Sequence, residues 1–251
     1  MGENINNIYA IVLAAGKGKR MKSVLPKVLH KLDGKALIDW VLDSLSSLKL
    51  DGMIVVTGFG RKRLIKHLNE IRSEQIQYAV QEELLGTADA VKCAISSLPE
   101  TGTVIVLCGD VPLIRTVTLH KLLEVHKVSA AAVTVLTTIL DIPAGYGRIV
   151  RNPDGTIDAI VEHRDATKEQ RAIKEINSGT YIFNITDLRK EIANVTNDNV
   201  QREFYLPDVI NLLRKRSKKA IPCIVDNSWE VKGINSHEQL REIEEYLKKM
   251  H

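Results

Sequence analysis

The chain has 251 residues, with 44% hydrophobic and 26% charged residues and a formal net charge of +4. That is enough apolar material for one large domain, or one domain with a small appendage, and it excludes a disordered or fibrous chain. The mild positive charge suits an anionic small substrate at least as well as nucleic acid, and the aromatic fraction of 4% is thin for a base-stacking surface.

An apolar run from Ile8 to Leu13 predicts a buried strand, and a glycine-rich turn follows it. Leu37, Ile38, Val41, Leu42, Leu45 and Leu48 recur at helical spacing and predict a helix over 35–48. A strand from Met53 to Thr57, a basic helix over 60–70 and a strand from Ile76 to Val80 come next. Gly86-Thr87 opens a helix running to Leu98, with Thr87 as its expected cap. A strand from Thr103 to Leu107, a helix over 116–127 and a strand from Ala130 to Thr138 complete the first half. This alternation argues a parallel sheet with helices on both faces.

The second half changes character. Residues 145–150 and 156–161 flank Asn152-Pro153-Asp154-Gly155 and read as a hairpin around an Asp-Gly turn. A strand from Asn177 to Asn184, helices near 186–193 and 205–215, and a strand from Ala220 to Val225 follow. The last element is a charged helix from Ser236 to Lys249, with Ser236 as its cap. No internal repeat or low-complexity linker is present.

Chemistry concentrates in a few stretches. Leu13-Ala14-Ala15-Gly16-Lys17-Gly18-Lys19-Arg20-Met21, running on to Pro26-Lys27, combines a strand end, glycines and four cations. Glycines there let backbone N–H groups turn toward an anion, as a nucleotide triphosphate requires. A dinucleotide fingerprint is excluded because Met21 stands where the third glycine belongs, and no window supplies a Walker loop. Asp110, after a strand and Gly109, is the leading metal-ligand candidate; the alternative is a turn-forming Asp before Pro112. Gln81 lies just past a strand and could read a base edge, or be an ordinary surface residue. Strand ends in an open parallel sheet bind ligands, so the opening loop, 81–87 and Gly109-Asp110 should share one rim.

Other features point to no chemistry. Cys93, Cys108 and Cys223 are widely separated and read as reduced thiols of a cytoplasmic protein. No apolar run approaches the roughly 18 residues of a membrane span, and residues 1–7 lack a secretory apolar segment. The seven histidines show no metal-ligand spacing, and His30 reads as a packing or positioning residue. The basic runs at 61–63 and 214–219 read as solvated faces.

Taken together, the glycine turn with Ser23 and Leu25-Pro26-Lys27-Val28-Leu29-His30 resembles the signature of the sugar-phosphate nucleotidyltransferases. The likeness is greatest to the N-acetylglucosamine-1-phosphate uridylyltransferase domains of bacterial bifunctional enzymes. Further motifs agree in order: Gln81 with Leu85-Gly86-Thr87, Gly109-Asp110-Val111-Pro112, Gly145-Tyr146-Gly147-Arg148, Val161-Glu162-His163, Glu175-Ile176-Asn177-Ser178-Gly179 and Gly233-Ile234-Asn235. The resemblance implies a Rossmann-like α/β fold, a mixed and mostly parallel sheet with a small inserted sugar-binding lobe. It implies that Leu13, Ala14, Ala15, Gly16, Gln81, Gly86 and Thr87 bind the nucleotide, and that Arg20 and Lys27 are the catalytic cations. It further implies that Gly147, Glu162 and Asn177 hold the sugar, and that Asp110 and Asn235 hold Mg2+. The substrates implied are UTP and a sugar 1-phosphate, with neither nucleic acid nor membrane as partner.

Three positions depart from the family pattern: Lys19 replaces a small hydroxyl residue, Ala88-Asp89 replaces Gly-His, and Cys108 stands where tyrosine or serine is frequent. The hexapeptide repeats of the family's acetyltransferase half do not occur, so acetyl transfer is not expected and a trimer is disfavoured, with oligomeric state otherwise open. Residues 1–235 are expected to form the nucleotidyltransferase domain and 236–251 a helix equivalent to the linker. Alternatives are a related transferase acting on glucose 1-phosphate or another nucleotide, and a non-catalytic nucleotide-sugar sensor.

Overall fold

The computed structural model describes residues 7–73 and 75–250, so the reading of residues 1–6 as a polar terminus lies outside the described residues. In chain order the first half contains β1 (Ile8–Leu13), a short hairpin of β2 (Lys31–Leu32) and β3 (Lys35–Ala36), α1 (Leu37–Leu45), β4 (Gly52–Thr57), α2 (Arg61–Ile71), β5 (Ile76–Val80), α3 (Thr87–Ala94), β6 (Thr103–Cys108) and α4 (Thr116–Ser129). The second half contains β7 (Val133–Ile139), β8 (Arg148–Arg151), β9 (Ile157–Val161), α5 (Lys168–Arg171), β10 (Glu175–Asn184), α6 (Ile185–Ile192), α7 (Asp208–Lys215), β11 (Ala220–Ile224) and α8 (His237–Met250).

The main sheet runs β11-β7-β10-β6-β1-β4-β5, and the β8–β9 hairpin joins it through β10. Every pairing along this path is parallel except those of β10, which lies antiparallel to both β6 and β7. The alternation of strands and helices predicts parallel strands alone. The reversal follows from connectivity. After β7 the chain runs out through the β8–β9 lobe and re-enters between β6 and β7, without the crossover helix that parallel neighbours need. The lobe turns at Asp154-Gly155 as the sequence indicates. Gly155 has φ +84° and donates to the Asn152 carbonyl at 2.9 Å, while Asp154 Oδ1 accepts from the Thr156 N–H at 2.9 Å.

Alternate residues of the central strands supply two cores, one on each face. Ile11, Val104 and Val106 face one; Ala10, Val12, Ile105 and Leu107 face the other. All seven are buried to 1% exposure or less, and each large side chain so buried contributes about 1.5–3 kcal/mol. A third, smaller cluster forms where Ile243 of α8, backed by Leu240 and Leu247, covers Leu32, Leu37 and Ile234. Ser236 caps α8 as expected, its hydroxyl accepting from the Gln239 N–H at 3.3 Å.

Thr87 does not cap α3. Gly86 occupies the cap position, and the Thr87 hydroxyl instead accepts from the Leu206 N–H at 3.0 Å. Backbone pairing explains the shift: Phe204 N–H donates to Leu85 O and Ala88 N–H to Phe204 O, both at 2.8 Å, so Gly86 lies flat on Phe204. A Cβ on Gly86 would stand 2.5 Å from Phe204 O, and its φ of +122° is open only to glycine.

Candidate active site

The parallel register sets the rim of the site. Leu13 pairs with Val56 on one side and Cys108 on the other, and Thr57 pairs with Val80. The next residues of each strand, Ala14–Gly16, Gly58, Gln81 and Gly109–Asp110, therefore leave the sheet along one edge. Backbone bonds tie them: Ala14 N–H donates to Val56 O, Gly109 N–H to Leu13 O and Gln81 N–H to Thr57 O, at 2.8–2.9 Å. Leu13 is part-buried and Ala14 and Ala15 are buried, whereas Gly16 is exposed with open space around it.

Lys27 stands at the centre of this edge. Its Nζ donates to Asp110 Oδ2 at 2.5 Å and to Asn235 Oδ1 at 2.8 Å. Residues separated by 83 and 208 positions thus meet on one ammonium. Gly18 makes room for it: with φ +61°, a Cβ there would sit 2.8 Å from Lys27 Cβ. Arg20 lies exposed on a 3₁₀ turn over Lys19–Met21, whose Met21 is buried to 1%. That turn is pinned from α8, where His237 Nε2–H donates to the Met21 carbonyl at 3.0 Å. The His30 ring packs edge-on against His237 at 5.6 Å, so His30 packs as the sequence suggests. Burial, then the neighbouring His237, holds the His30 imidazole below its usual pKa.

The donor set suits Mg2+. Asp110 Oδ2 and Asn235 Oδ1 already converge on one positive charge, and Gly233 lies close to both, a Cβ there falling 3.4 Å from Asp110 Oδ2. One carboxylate and one amide oxygen, with phosphate oxygens to complete the shell, is a normal Mg2+ set. No cluster of three or more His, Cys, Asp or Glu able to hold a metal occurs among the described residues.

Beside this centre opens a cleft of about 190 Å³. Leu13, Thr87, Gly147, Glu162, Asn177 and Tyr181 are among its walls. All three sequence-predicted sugar residues therefore meet here, and so does Thr87. Gly147 is the contact point: its carbonyl accepts from the Asn177 N–H at 2.9 Å, and a Cβ on it would fall 3.1 Å from Glu162 Oε1. Asn177 is fixed by donating Nδ2–H to Tyr181 OH at 2.6 Å and by accepting from the Gly179 N–H at 3.1 Å. Burial, reinforced by Asp165, Asp208 and Glu203, raises the Glu162 carboxyl to about 7. Cys108 also lines the cleft, and burial and the nearby Asp110 push its thiol up to about 12.

Gln81 is 4% exposed and sits at the other end of the rim. Gly58 separates it from the opening loop, since a Cβ on Gly58 would meet Ala15 O at 2.9 Å and Gln81 O at 3.1 Å. Its Nε2 donates to Gly86 O at 3.0 Å and to Asp89 Oδ2 at 2.8 Å.

Several contributors escaped the sequence reading. Tyr181, His237 and the 199–207 segment buttress the site, yet none belongs to a motif with glycine or charge spacing. The strand pattern around Tyr181 was legible; its register shift between Asn177 and Tyr181, with Gly179 at φ +80°, was not. Within the basic runs Arg61 pairs with Glu82, Arg214 with Asp158, and the exposed Arg216 with the buried Glu191. Among the described residues, no helix is long and apolar enough to cross a membrane.

The family model described as "Nucleotidyl transferase" matches residues 9–248. The chain belongs to this family. It is 46% identical over 241 residues to the bifunctional protein GlmU of Bacillus licheniformis, a match covering 96% of this chain and 52% of that protein. It is 41% identical over 245 residues to the bifunctional protein GlmU of Caldanaerobacter subterraneus subsp. tengcongensis, covering 98% of this chain and again 52% of the relative. The chain thus spans about half the length of the curated relatives it matches. Among solved structures it is similar to a UDP-glucose pyrophosphorylase complexed with UDP-glucose, with a TM-score of 0.80 at 18% identity over 98% of this chain and 100% of the other. HddC from Yersinia pseudotuberculosis, complexed with GMP-PN, gives a TM-score of 0.69 at 21% identity over 95% of this chain and 99% of that one. These two likenesses establish the mixed α/β nucleotidyltransferase fold.

Proposed function

We propose that this chain transfers the uridylyl group of UTP to N-acetylglucosamine 1-phosphate, with Mg2+, releasing pyrophosphate and forming UDP-N-acetylglucosamine. The observation that carries this reading is the single centre formed by Lys27, Asp110 and Asn235 between a glycine-rich loop and the cleft at Gly147, Glu162 and Asn177. Similarity to the first half of GlmU proteins narrows the substrates.

The acceptor phosphate is already an anion, so attack on the α-phosphorus needs no general base. The chain's work is positioning and charge stabilisation. Leu13, Ala14, Ala15 and Gly16, with Gln81, Gly86 and Thr87, hold the nucleotide. Lys27 neutralises charge that builds on the α-phosphate, and Arg20, exposed on its turn, grips the departing pyrophosphate with a planar fork of donors. Gly147, Glu162 and Asn177 orient the sugar. Asp110 and Asn235 hold the Mg2+, which offsets repulsion between the two anions when bound. A UTP-consuming reaction and three free thiols suit a cytoplasmic setting. α8 then corresponds to the helix that leads toward the second half of the longer relatives.

A pyrophosphate-release screen tests this reading. It pairs UTP, dTTP and CTP with N-acetylglucosamine 1-phosphate and glucose 1-phosphate, with and without Mg2+. Release with UTP and N-acetylglucosamine 1-phosphate should exceed every other pair and require the metal. Preference for glucose 1-phosphate would reassign the sugar, and no release with any pair would leave a nucleotide-sugar sensor as the better reading.

A further inference from the structure

We infer that Asp89 is the positioning residue that sets the base preference of this site, by committing both N–H groups of Gln81 and leaving only its carbonyl to meet a base. The inference rests on the nucleotide-binding role given to Gln81 above.

An amide side chain offers two N–H donors on nitrogen and an acceptor on oxygen. Gln81 Nε2 has two neighbours, Gly86 O at 3.0 Å and Asp89 Oδ2 at 2.8 Å. A backbone carbonyl and a carboxylate only accept, so chemistry alone forbids the flipped amide, which would set oxygen against oxygen. Both donors of Gln81 are thereby used. Oε1 takes no hydrogen bond among the described residues and is not one of the sealed, unpartnered polar atoms. The group that Gln81 presents to a ligand is an acceptor.

An acceptor discriminates among bases. Uracil and thymine carry an N3–H donor on the pairing edge. Cytosine carries a lone pair on N3 at the same place, which would repel Oε1. A site whose buried polar group is left opposed or unpaired by the wrong ligand rejects that ligand by roughly ten- to a hundredfold. Asp89 is well placed to hold this arrangement. It lies in the first turn of α3, where the helix dipole favours a carboxylate. The peptide at Gly86 is itself locked against Phe204, so the second acceptor cannot swing away.

Calorimetric titration of UTP and of CTP into the full chain tests the inference, with Asp89→Ala and Asp89→Asn beside wild type and thermal unfolding run on each. Wild type should bind UTP at least about tenfold more tightly than CTP. Asp89→Ala removes one of the two acceptors that fix the amide and frees an N–H of Gln81 that cytosine N3 can accept, so it should lose part of that preference. Asp89→Asn can still point an oxygen at Gln81 and should keep it. A merely structural Asp89 would weaken both nucleotides alike, and an unchanged UTP-to-CTP ratio in Asp89→Ala would overturn the inference. So would a wild type without preference. Preferential UTP binding with no pyrophosphate release would overturn the proposed transfer reaction and leave the role of Asp89 standing.

Discussion

Replacing Lys27 by alanine should push metal binding and turnover in opposite directions. The Lys27 ammonium lies 2.5 Å from Asp110 and 2.8 Å from Asn235, the two residues proposed to hold Mg2+. A cation held by those two oxygens would compete with this ammonium for them. Lys27 and Asp110 side chains are each 14% exposed, between the surface pairs worth about 0–1 kcal/mol and the buried pairs whose disruption costs about 3–5 kcal/mol. Removing the competitor should therefore free about 1–2 kcal/mol, or roughly tenfold tighter Mg2+ binding without nucleotide. Turnover should fall about a hundredfold to a thousandfold, the usual loss of one preorganised electrostatic contact. Calorimetric Mg2+ titration of the free chain gives the first quantity. Initial rates of pyrophosphate release at saturating UTP and sugar phosphate give the second. Mg2+ affinity that fails to rise, or turnover close to wild type, would refute the shared centre.

Asp110→Ala should abolish Mg2+-dependent turnover, and an unchanged Mg2+ titration of activity would count against its role. Gly147→Ala brings a Cβ to 3.1 Å from Glu162 Oε1 and 3.5 Å from Asn177 Cβ, so KM for the sugar phosphate should rise about tenfold or more while KM for UTP holds. Equal effects on both would show that the cleft is not the sugar site. Glu162 is raised to about 7 in the folded chain, above its unfolded value. The stability from its neutral form is fully present below the unfolded value and is lost as pH rises through about 7. Glu162→Gln should thus be more stable than wild type at pH 8.5, by at most about 3 kcal/mol, with the gap closing toward pH 5. Thermal midpoints across that range check the sign. His237→Ala removes the hydrogen bond to the Met21 carbonyl and should raise KM for UTP, with less effect on KM for the sugar phosphate.

Much of this protein is determined locally. The strand Ile8–Leu13, its glycine turn, the hairpin at Asp154-Gly155 and the Ser236 cap each follow from interactions within a few residues, where periodicity and turn chemistry act. The rim could be read too, because parallel strands deliver their C-terminal ends to one edge. What only the tertiary structure decided is pairing over long separations. The reversal of β10 depends on the excursion through the β8–β9 lobe, and Thr87 gives up its capping role because Phe204, more than a hundred residues away, takes the adjacent backbone. The meeting of Lys27, Asp110 and Asn235 on one ammonium, and the turning of Gln81 by Asp89, depend on packed side-chain geometry. No short-range pattern encodes such contacts, since their energy is gained only when distant segments are already held together.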